Sequence, residues 1–174
     1  MVSRMADDEK LRQLRVGDVV ITPEIVSRVF PHLVSWVTQM EKDILQVGLP
    51  LHPVNRTDAE AIGIGQIDVV RIVVLDKLPL PTHSELRLLA VQTGLITPKT
   101  VGMTFGHGIA LKHGGYTRWV VAHELTHVLQ YERLQGIEPF LKEYVKEISH
   151  PAAYGSGPSE IEASRTADSV LGRT

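Results

Sequence analysis

Apolar residues recur at helical spacing after residue 22, and this pattern predicts a long helix. The apolar positions three or four residues apart are Ile25, Val29, Leu33, Trp36, Val37, Met40, Ile44 and Leu45. Thr22 can cap the start, and Pro23 suits the first turn of a helix. The Gly-Leu-Pro run at 48–50 ends the pattern. Pro31 is expected to kink this helix or to divide it in two.

Two segments carry the runs of β-branched and apolar residues that are typical of strands. Residues 68–75 read Asp-Val-Val-Arg-Ile-Val-Val-Leu, which predicts a central strand. Residues 100–112 predict a second strand, in which Gly106 and Gly108 mark a bulge or a close backbone approach.

Four more helices are predicted from apolar spacing and capping residues. They cover residues 84–92, the span between Thr117 and Gly136, residues 137–148, and a segment that begins near residue 158. Together with the two strands, these helices indicate an α+β fold. We expect a small mixed or antiparallel sheet that packs against the helix between Thr117 and Gly136, with the long first helix behind the sheet.

Composition narrows the class of protein. A chain of 174 residues with 43% apolar residues fits a single domain over 1–174, with residues 1–21 as a flexible N-terminal segment. A formal net charge of -2 gives no reason to expect a nucleic-acid partner. The sequence has neither a signal peptide nor an apolar run long enough to span a membrane, so a cytoplasmic location without a membrane partner is expected. Cysteine is absent, so a zinc site would need histidine and carboxylate ligands.

The chemistry is concentrated in a His-Glu-Leu-Thr-His run at 123–127. Four residues correspond to about 400° of helix rotation, so His123 and His127 leave the same face one turn apart. Two imidazoles placed in this way can bind one metal ion. Glu124 points about 100° away, which is too far round for an easy ligand but close enough to reach a water molecule at the metal.

The residues around this motif are apolar, so its polar side chains need partners. A metal would satisfy them, and a hydrogen-bonded pair of core histidines is the alternative. A catalytic zinc site needs a third protein ligand, for which the downstream candidates are His150, Glu160 and Glu162. Residues two apart on a helix point in different directions, so only one of the two glutamates is expected to bind the metal.

The run His-Glu-Leu-Thr-His-Val-Leu-Gln at 123–130 resembles the active-site helix of gluzincin-type zinc metallopeptidases. The later Pro-Ser-Glu-Ile-Glu-Ala at 158–163 is similar to their glutamate helix, in which the ligand often precedes a small residue by three positions. This resemblance implies a zincin-like fold in which Zn²⁺ is bound by His123, His127 and Glu160. The chain is also similar in its small size to minimal gluzincins and to compact toxin-associated HExxH domains.

The resemblance also implies catalytic roles. Glu124 would act as the general base. The oxyanion would also need a hydrogen-bond donor, for which Tyr154 is the first choice because it lies in the loop before Glu160, with His150 and His107 as rivals. The strand at 100–112 would hold a peptide or protein substrate as an added antiparallel strand, with its two glycines permitting close approach.

The sequence supports more than one function. The leading interpretation is a zinc metallopeptidase, and a narrow-specificity regulatory protease with a single protein target is a variant of it. Ser164 stands where larger gluzincins have an aspartate that supports the first histidine, which favours a zinc-binding but inactive accessory module. A zymogen whose cleft is covered by residues 1–23 is a further alternative.

Overall fold

The computed structural model of the chain describes residues 21–149 and 157–173. These residues form an α+β fold with six α-helices and three β-strands. In chain order the elements are α1 (Pro23–Val47), α2 (Pro53–Ile62), β1 (Arg71–Leu75), α3 (Ser84–Gln92), β2 (Gly102–Phe105), β3 (Gly108–Lys112), α4 (Arg118–Arg133), α5 (Ile137–Ile148) and α6 (Pro158–Val170). The N-terminal segment expected to be flexible lies outside the described residues, apart from Ile21.

The sheet is mixed, with the strand order β1-β3-β2. β1 runs parallel to β3, and β2 runs antiparallel to β3. The prediction of one strand over residues 100–112 was wrong, because the segment folds back on itself as a hairpin. Gly106 at φ +58° and His107 form the two-residue turn, and a positive φ is readily adopted by glycine.

The segment predicted as a central strand lies instead at an edge of the sheet. It begins only at Arg71, because Ile67–Val69 forms a 3-10 turn. On its other side β1 makes a single antiparallel bridge, between Ile72 and Leu49. An apolar run indicates burial between the layers of the fold, and it does not specify the strand order.

Helices cover both faces of the sheet. On one face, the buried cluster that joins β3 to α4 contains Ile109, Leu111, Val121, Leu125 and Val128. On the other face, the cluster that joins the sheet to α1 contains Phe105, Ala110, Val37 and Ile44. Each fully buried valine, leucine, isoleucine or phenylalanine side chain stabilises the fold by about 1.5–3 kcal/mol. The helix with the histidine motif is therefore held by a packed core, and α1 lies behind the sheet as expected.

Every predicted helix is present in the structure, and one further helix was not predicted. Thr22 caps α1 by accepting a hydrogen bond from the Ile25 amide over 3.3 Å. α1 continues through Pro31, so this proline does not divide the helix. Helix α2 was not predicted, because its buried positions include the polar Asn55 and Asp58 and therefore lack an apolar pattern.

In the described parts of the chain, no helix combines the length and the apolar character that crossing a membrane requires.

Candidate metal centre

The start of α4 is fixed by polar contacts with α2. Thr117 caps the helix by accepting a hydrogen bond from the Val120 amide over 3.2 Å. The guanidinium of Arg118 donates two hydrogen bonds to Asp58, over 2.9 and 2.7 Å. Asp58 is 2% exposed, so this pair is anchored in the interior on the α2 side. A bidentate pair of this kind restricts the orientation of the helix that carries the motif.

The two motif histidines leave one face of α4, as their spacing predicts. The Nε2 atoms of His123 and His127 lie 3.3 Å apart. Their side chains are 14% and 9% exposed. Two imidazole nitrogens therefore converge at one nearly buried point.

Helix α6 brings Glu160 to the same point. Its Oε2 lies 3.2 Å from His123 Nε2, and its Oε1 lies 3.5 Å from His127 Nε2. The atoms that these three side chains could offer to a metal all lie within 4.8 Å of one another. His123, His127 and Glu160 form the ligand group of the candidate centre. Ala163 and Ala167 on α6 are completely buried, so small side chains allow α6 to pack closely on α4.

The other two candidates for the third ligand, Glu162 and His150, do not belong to this cluster as far as the structure describes them. Glu162 accepts hydrogen bonds from Arg133 over 2.7 and 2.8 Å and from Gln130 over 2.8 Å, and it does not belong to the group of side chains that could bind a metal. His150 lies outside the described residues. Of the two glutamates, only Glu160 faces the histidine pair.

The electrostatics of this cluster favour a positive charge. Burial by itself lowers the pKa of His127, but its hydrogen bond with Glu160 and the charges of Glu124 and Glu160 raise that pKa to about 9. Burial raises the pKa of Glu160, but hydrogen bonds from the two histidines outweigh it and hold that pKa far below its ordinary range. Two imidazoles and one carboxylate are also a donor set that zinc accepts. The residues present therefore fit a divalent cation such as Zn²⁺.

Glu124 lies beside this cluster and is held by the edge strand β2. The Thr104 hydroxyl donates a hydrogen bond to Glu124 Oε2 over 2.7 Å. A side chain at Gly102 would place its Cβ 2.5 Å from Glu124 Oε1, so only glycine fits there without displacement. Glu124 is 6% exposed and lines the same cavity as the two histidines. It is thus close to the ligand group without belonging to it.

Tyr144, which the sequence pattern did not single out, reaches the ligand group from α5. Its hydroxyl donates a hydrogen bond to Glu160 Oε1 over 2.9 Å. Burial, followed by the charge of Glu160, raises the pKa of Tyr144 well above its ordinary value, so the phenol keeps its proton. The apolar face of α5 made this residue look like part of the core. Tyr154, the first choice for the oxyanion donor, lies outside the described residues.

His123 is supported by two residues. The Ser164 hydroxyl lies 3.5 Å from His123 Nδ1, at the position where the resembling family has an aspartate. The Trp119 ring stacks on the imidazole with a centroid separation of 5.3 Å, and its Nε1–H donates a hydrogen bond to Asp168 over 2.8 Å. Asp168 is therefore linked to His123 through Trp119.

His107, a rival for the donor role of Tyr154, lies elsewhere in the structure. Its Nε2 is 3.0 Å from Glu132, its Nδ1 is 3.5 Å from Glu41, and it does not line the cavity. Gly106 and Gly108 are likewise turned towards Glu41 and Ile44 of α1. The expectation that these glycines admit a substrate was therefore wrong, because their close approach is to α1.

A cavity of about 380 Å³ opens over the cluster. Its walls come from α1, from residues between 93 and 105, which include β2, and from α5. The apolar side chains that line it include Leu33, Trp36, Val37, Val101, Met103, Phe140, Leu141 and Val145. Such a space can hold a large apolar side chain beside the three ligand residues.

Comparison of the chain with protein-family models, with curated proteins and with solved structures gave no match. The functional interpretation therefore rests on the residues and geometry of this chain.

Proposed function

We propose that this protein is a zinc-dependent metallopeptidase with a gluzincin-like arrangement of ligands. The convergence of His123, His127 and Glu160 in a cavity that also contains Glu124 carries this proposal. Core histidines that only pair with each other would not require a third, acidic group or an adjoining cavity. The zincin-like fold belongs to the proposal too, on the basis of a mixed sheet beside α4 and a glutamate helix across it.

The three ligand residues would hold the metal. When bound, zinc would polarise the peptide carbonyl and lower the pKa of a water molecule to about 7. All other steps of the proposed mechanism are assigned to side chains of the protein.

Glu124 is the proposed general base. Its carboxylate accepts a proton from the attacking water and passes it to the leaving amine. The hydrogen bond from Thr104 occupies one lone pair of Oε2 and restrains the carboxylate. A general base held in this way has the fixed geometry that efficient proton transfer requires.

Tyr144 is the proposed donor for the negative charge that develops on the carbonyl oxygen. Its phenol keeps its proton and lies 2.9 Å from a ligand atom, so it reaches the reacting region. A positioned hydroxyl of this type stabilises an oxyanion in a site that excludes water. Tyr154 stays a prediction for the same role.

The peptide substrate is proposed to bind along β2. This strand is at an edge of the sheet, where it pairs with β3, and its residues line the cavity. An extended peptide can add to such an edge through backbone hydrogen bonds. The apolar cavity walls favour a large apolar side chain next to the bond that is cleaved. A single protein target is compatible with this mode.

A second candidate function is a zinc-binding module without turnover. It is favoured by Ser164, whose 3.5 Å approach to His123 is a weaker support than a carboxylate would give. This module would bind zinc but would cleave no peptide.

The Glu124→Ala variant separates the two functions. If the protein is an enzyme, the variant should retain its zinc, and its cleavage of a peptide library should be about 10²–10⁴-fold slower than that of the zinc-loaded wild type. The measurement is mass-spectrometric detection of cleaved peptides, with wild-type protein in parallel. Cleavage by the variant at the wild-type rate would refute the role of Glu124. Zinc binding without cleavage by either protein would support the inactive module.

A further inference from the structure

Gln130 is a polar residue buried in α4, one turn after His127. Only 1% of it is exposed, so its amide must be satisfied inside the protein. Its oxygen lies 2.8 Å from His127 Nδ1, and its nitrogen contacts two groups at the start of α6. The amide therefore connects the second histidine to the helix that carries Glu160.

The partners of this amide fix its orientation. Gln130 Nε2 donates to the Ser159 carbonyl over 3.0 Å and to Glu162 Oε2 over 2.8 Å. Two acceptors require the NH₂ group, so the oxygen has to face His127. An oxygen can only accept, and His127 Nδ1 must then carry the hydrogen. The other ring nitrogen, Nε2, is the one that faces Glu160 and His123.

The acceptors are themselves held in place. Arg133 donates two hydrogen bonds to Glu162, over 2.7 and 2.8 Å. Ser159 donates from its amide and its hydroxyl to Glu147, over 3.0 and 2.8 Å. The Gln130 amide is thus held between groups that cannot easily rotate away.

We propose that Gln130 is a positioning residue of the metal centre. It fixes the His127 ring with Nδ1 protonated and Nε2 available as the ligand atom, and it sets the position of α6 so that Glu160 meets both histidines. This inference rests on the proposed metal site, and it assigns a role to a residue outside the ligand group. Groups that orient ligand histidines commonly change metal affinity by about 10–100-fold when they are replaced.

The test measures zinc affinity by chelator competition for the full chain and its variants. Gln130→Met removes the amide oxygen and the amide nitrogen but keeps a side chain of similar length. We expect its zinc dissociation constant to rise about 10–100-fold. The metal-free variant should also melt at a lower temperature, because His127 Nδ1 loses its buried partner. Gln39→Met is the matched control, because Gln39 is exposed on α1 and bonds only to Asp43 among the described contacts. This control should bind zinc like the wild type.

Exchanging the amide of Gln130 with the carboxylate of Glu162 tests whether these two side chains act together on zinc affinity. Gln130→Glu alone sets two carboxylates against each other, and adding Glu162→Gln restores a donor opposite the new carboxylate. We expect the double variant to bind zinc about 10-fold more tightly than the single Gln130→Glu variant. A purely structural Gln130 would not produce this recovery in zinc affinity. Should Gln130→Met fail to fold, Gln130→Asn replaces it, because the shorter side chain withdraws the amide from His127.

The outcomes are distinct. Equal zinc affinity in wild type and Gln130→Met would overturn the positioning role and leave the metal centre intact. A wild-type protein that binds no zinc would overturn both the positioning role and the proposed function. Weakened binding together with recovery in the double variant would support the inference.

Discussion

Thr104 on strand β2 and Glu124 on helix α4 are joined by a hydrogen bond of 2.7 Å between the threonine hydroxyl and Oε2 of the carboxylate. The same hydroxyl lies 3.1 Å from the main-chain oxygen of Glu124. The strand proposed to bind the substrate is therefore in direct contact with the proposed general base. Substrate binding along β2 and orientation of Glu124 are coupled through one side chain.

Replacing Thr104 with valine keeps the shape of the side chain and removes the hydroxyl. We expect kcat for peptide cleavage to fall about 10–100-fold, because the carboxylate loses its fixed position. Zinc affinity should stay at the wild-type value, since Thr104 contacts no ligand residue in the described contacts. Steady-state kinetics and chelator competition measure the two quantities. Thr104→Ser is the control and should recover most of kcat, whereas a Thr104→Val variant as fast as wild type would exclude this role.

The two glutamates at the start of α6 offer a matched pair of substitutions. Glu160→Gln should weaken zinc binding by about 100-fold or more, because a charged ligand is lost. Glu162→Gln should retain zinc within about 10-fold, because its oxygen can still accept from Gln130. Isothermal titration of metal-free protein with zinc distinguishes them. The reverse order of affinities would make Glu162 the ligand.

Tyr144→Phe tests the proposed oxyanion donor. At saturating zinc, kcat should fall about 100-fold, as is typical when one such donor is removed. Saturating zinc separates this effect from weaker metal binding, which loss of the hydrogen bond to Glu160 also produces. Tyr116→Phe is a suitable control, because its hydroxyl bonds to Asn55 on α2 and is not in the cavity lining. An unchanged kcat in Tyr144→Phe would return the role to Tyr154.

His107 predicts a pH dependence of stability that is separate from catalysis. Its hydrogen bond with Glu41 raises the pKa of His107 against the effect of burial, and Glu132 adds to the rise. Stability from a raised histidine pKa is fully present below about 6.5 and is lost as pH rises through the folded-state pKa. Burial raises the pKa values of Glu41 and Glu132, but hydrogen bonds outweigh it and lower both. For Glu41 these hydrogen bonds come from His107, and for Glu132 they come first from the Gly65 amide and then from His107. Their contribution is present above about 4.5 and is lost as the pH falls through their folded-state pKa values.

The cluster should therefore stabilise the protein most between about pH 4.5 and 6.5. Urea unfolding at pH 6 and pH 9 measures the effect. The free energy of unfolding should fall between these pH values by more in wild type than in His107→Gln. His113→Gln is the control, because the His113 side chain is 69% exposed. An identical pH dependence in wild type and His107→Gln would contradict this prediction.

The local features of the site could be predicted from the sequence because they follow from helix geometry. The spacing of His123 and His127 determines a shared face, and Thr117 caps the helix as predicted. Helix α6 also begins at Pro158, as its composition indicated. The choice of Glu160 came from a resemblance, and the structure brings that residue to the histidines.

The remaining features depend on tertiary contacts that no local pattern encodes. Tyr144 has the same spacing as its core neighbours on α5, and only the packing of α5 against α6 brings its hydroxyl to Glu160. Gln130 looks like an ordinary polar residue until its three partners are known. The hairpin at Gly106 looked like one strand because both of its arms are apolar. Strand order and side-chain networks of this kind arise from long-range packing.

The most direct test of the account is the zinc content of the purified protein, measured by elemental mass spectrometry beside a His127→Ala variant. The account predicts about one zinc per chain in the wild type and loss of the metal in the variant. A wild-type protein that holds no zinc after incubation with the metal and removal of the excess would contradict it. The two histidines would then be core residues, and the peptidase proposal would be abandoned.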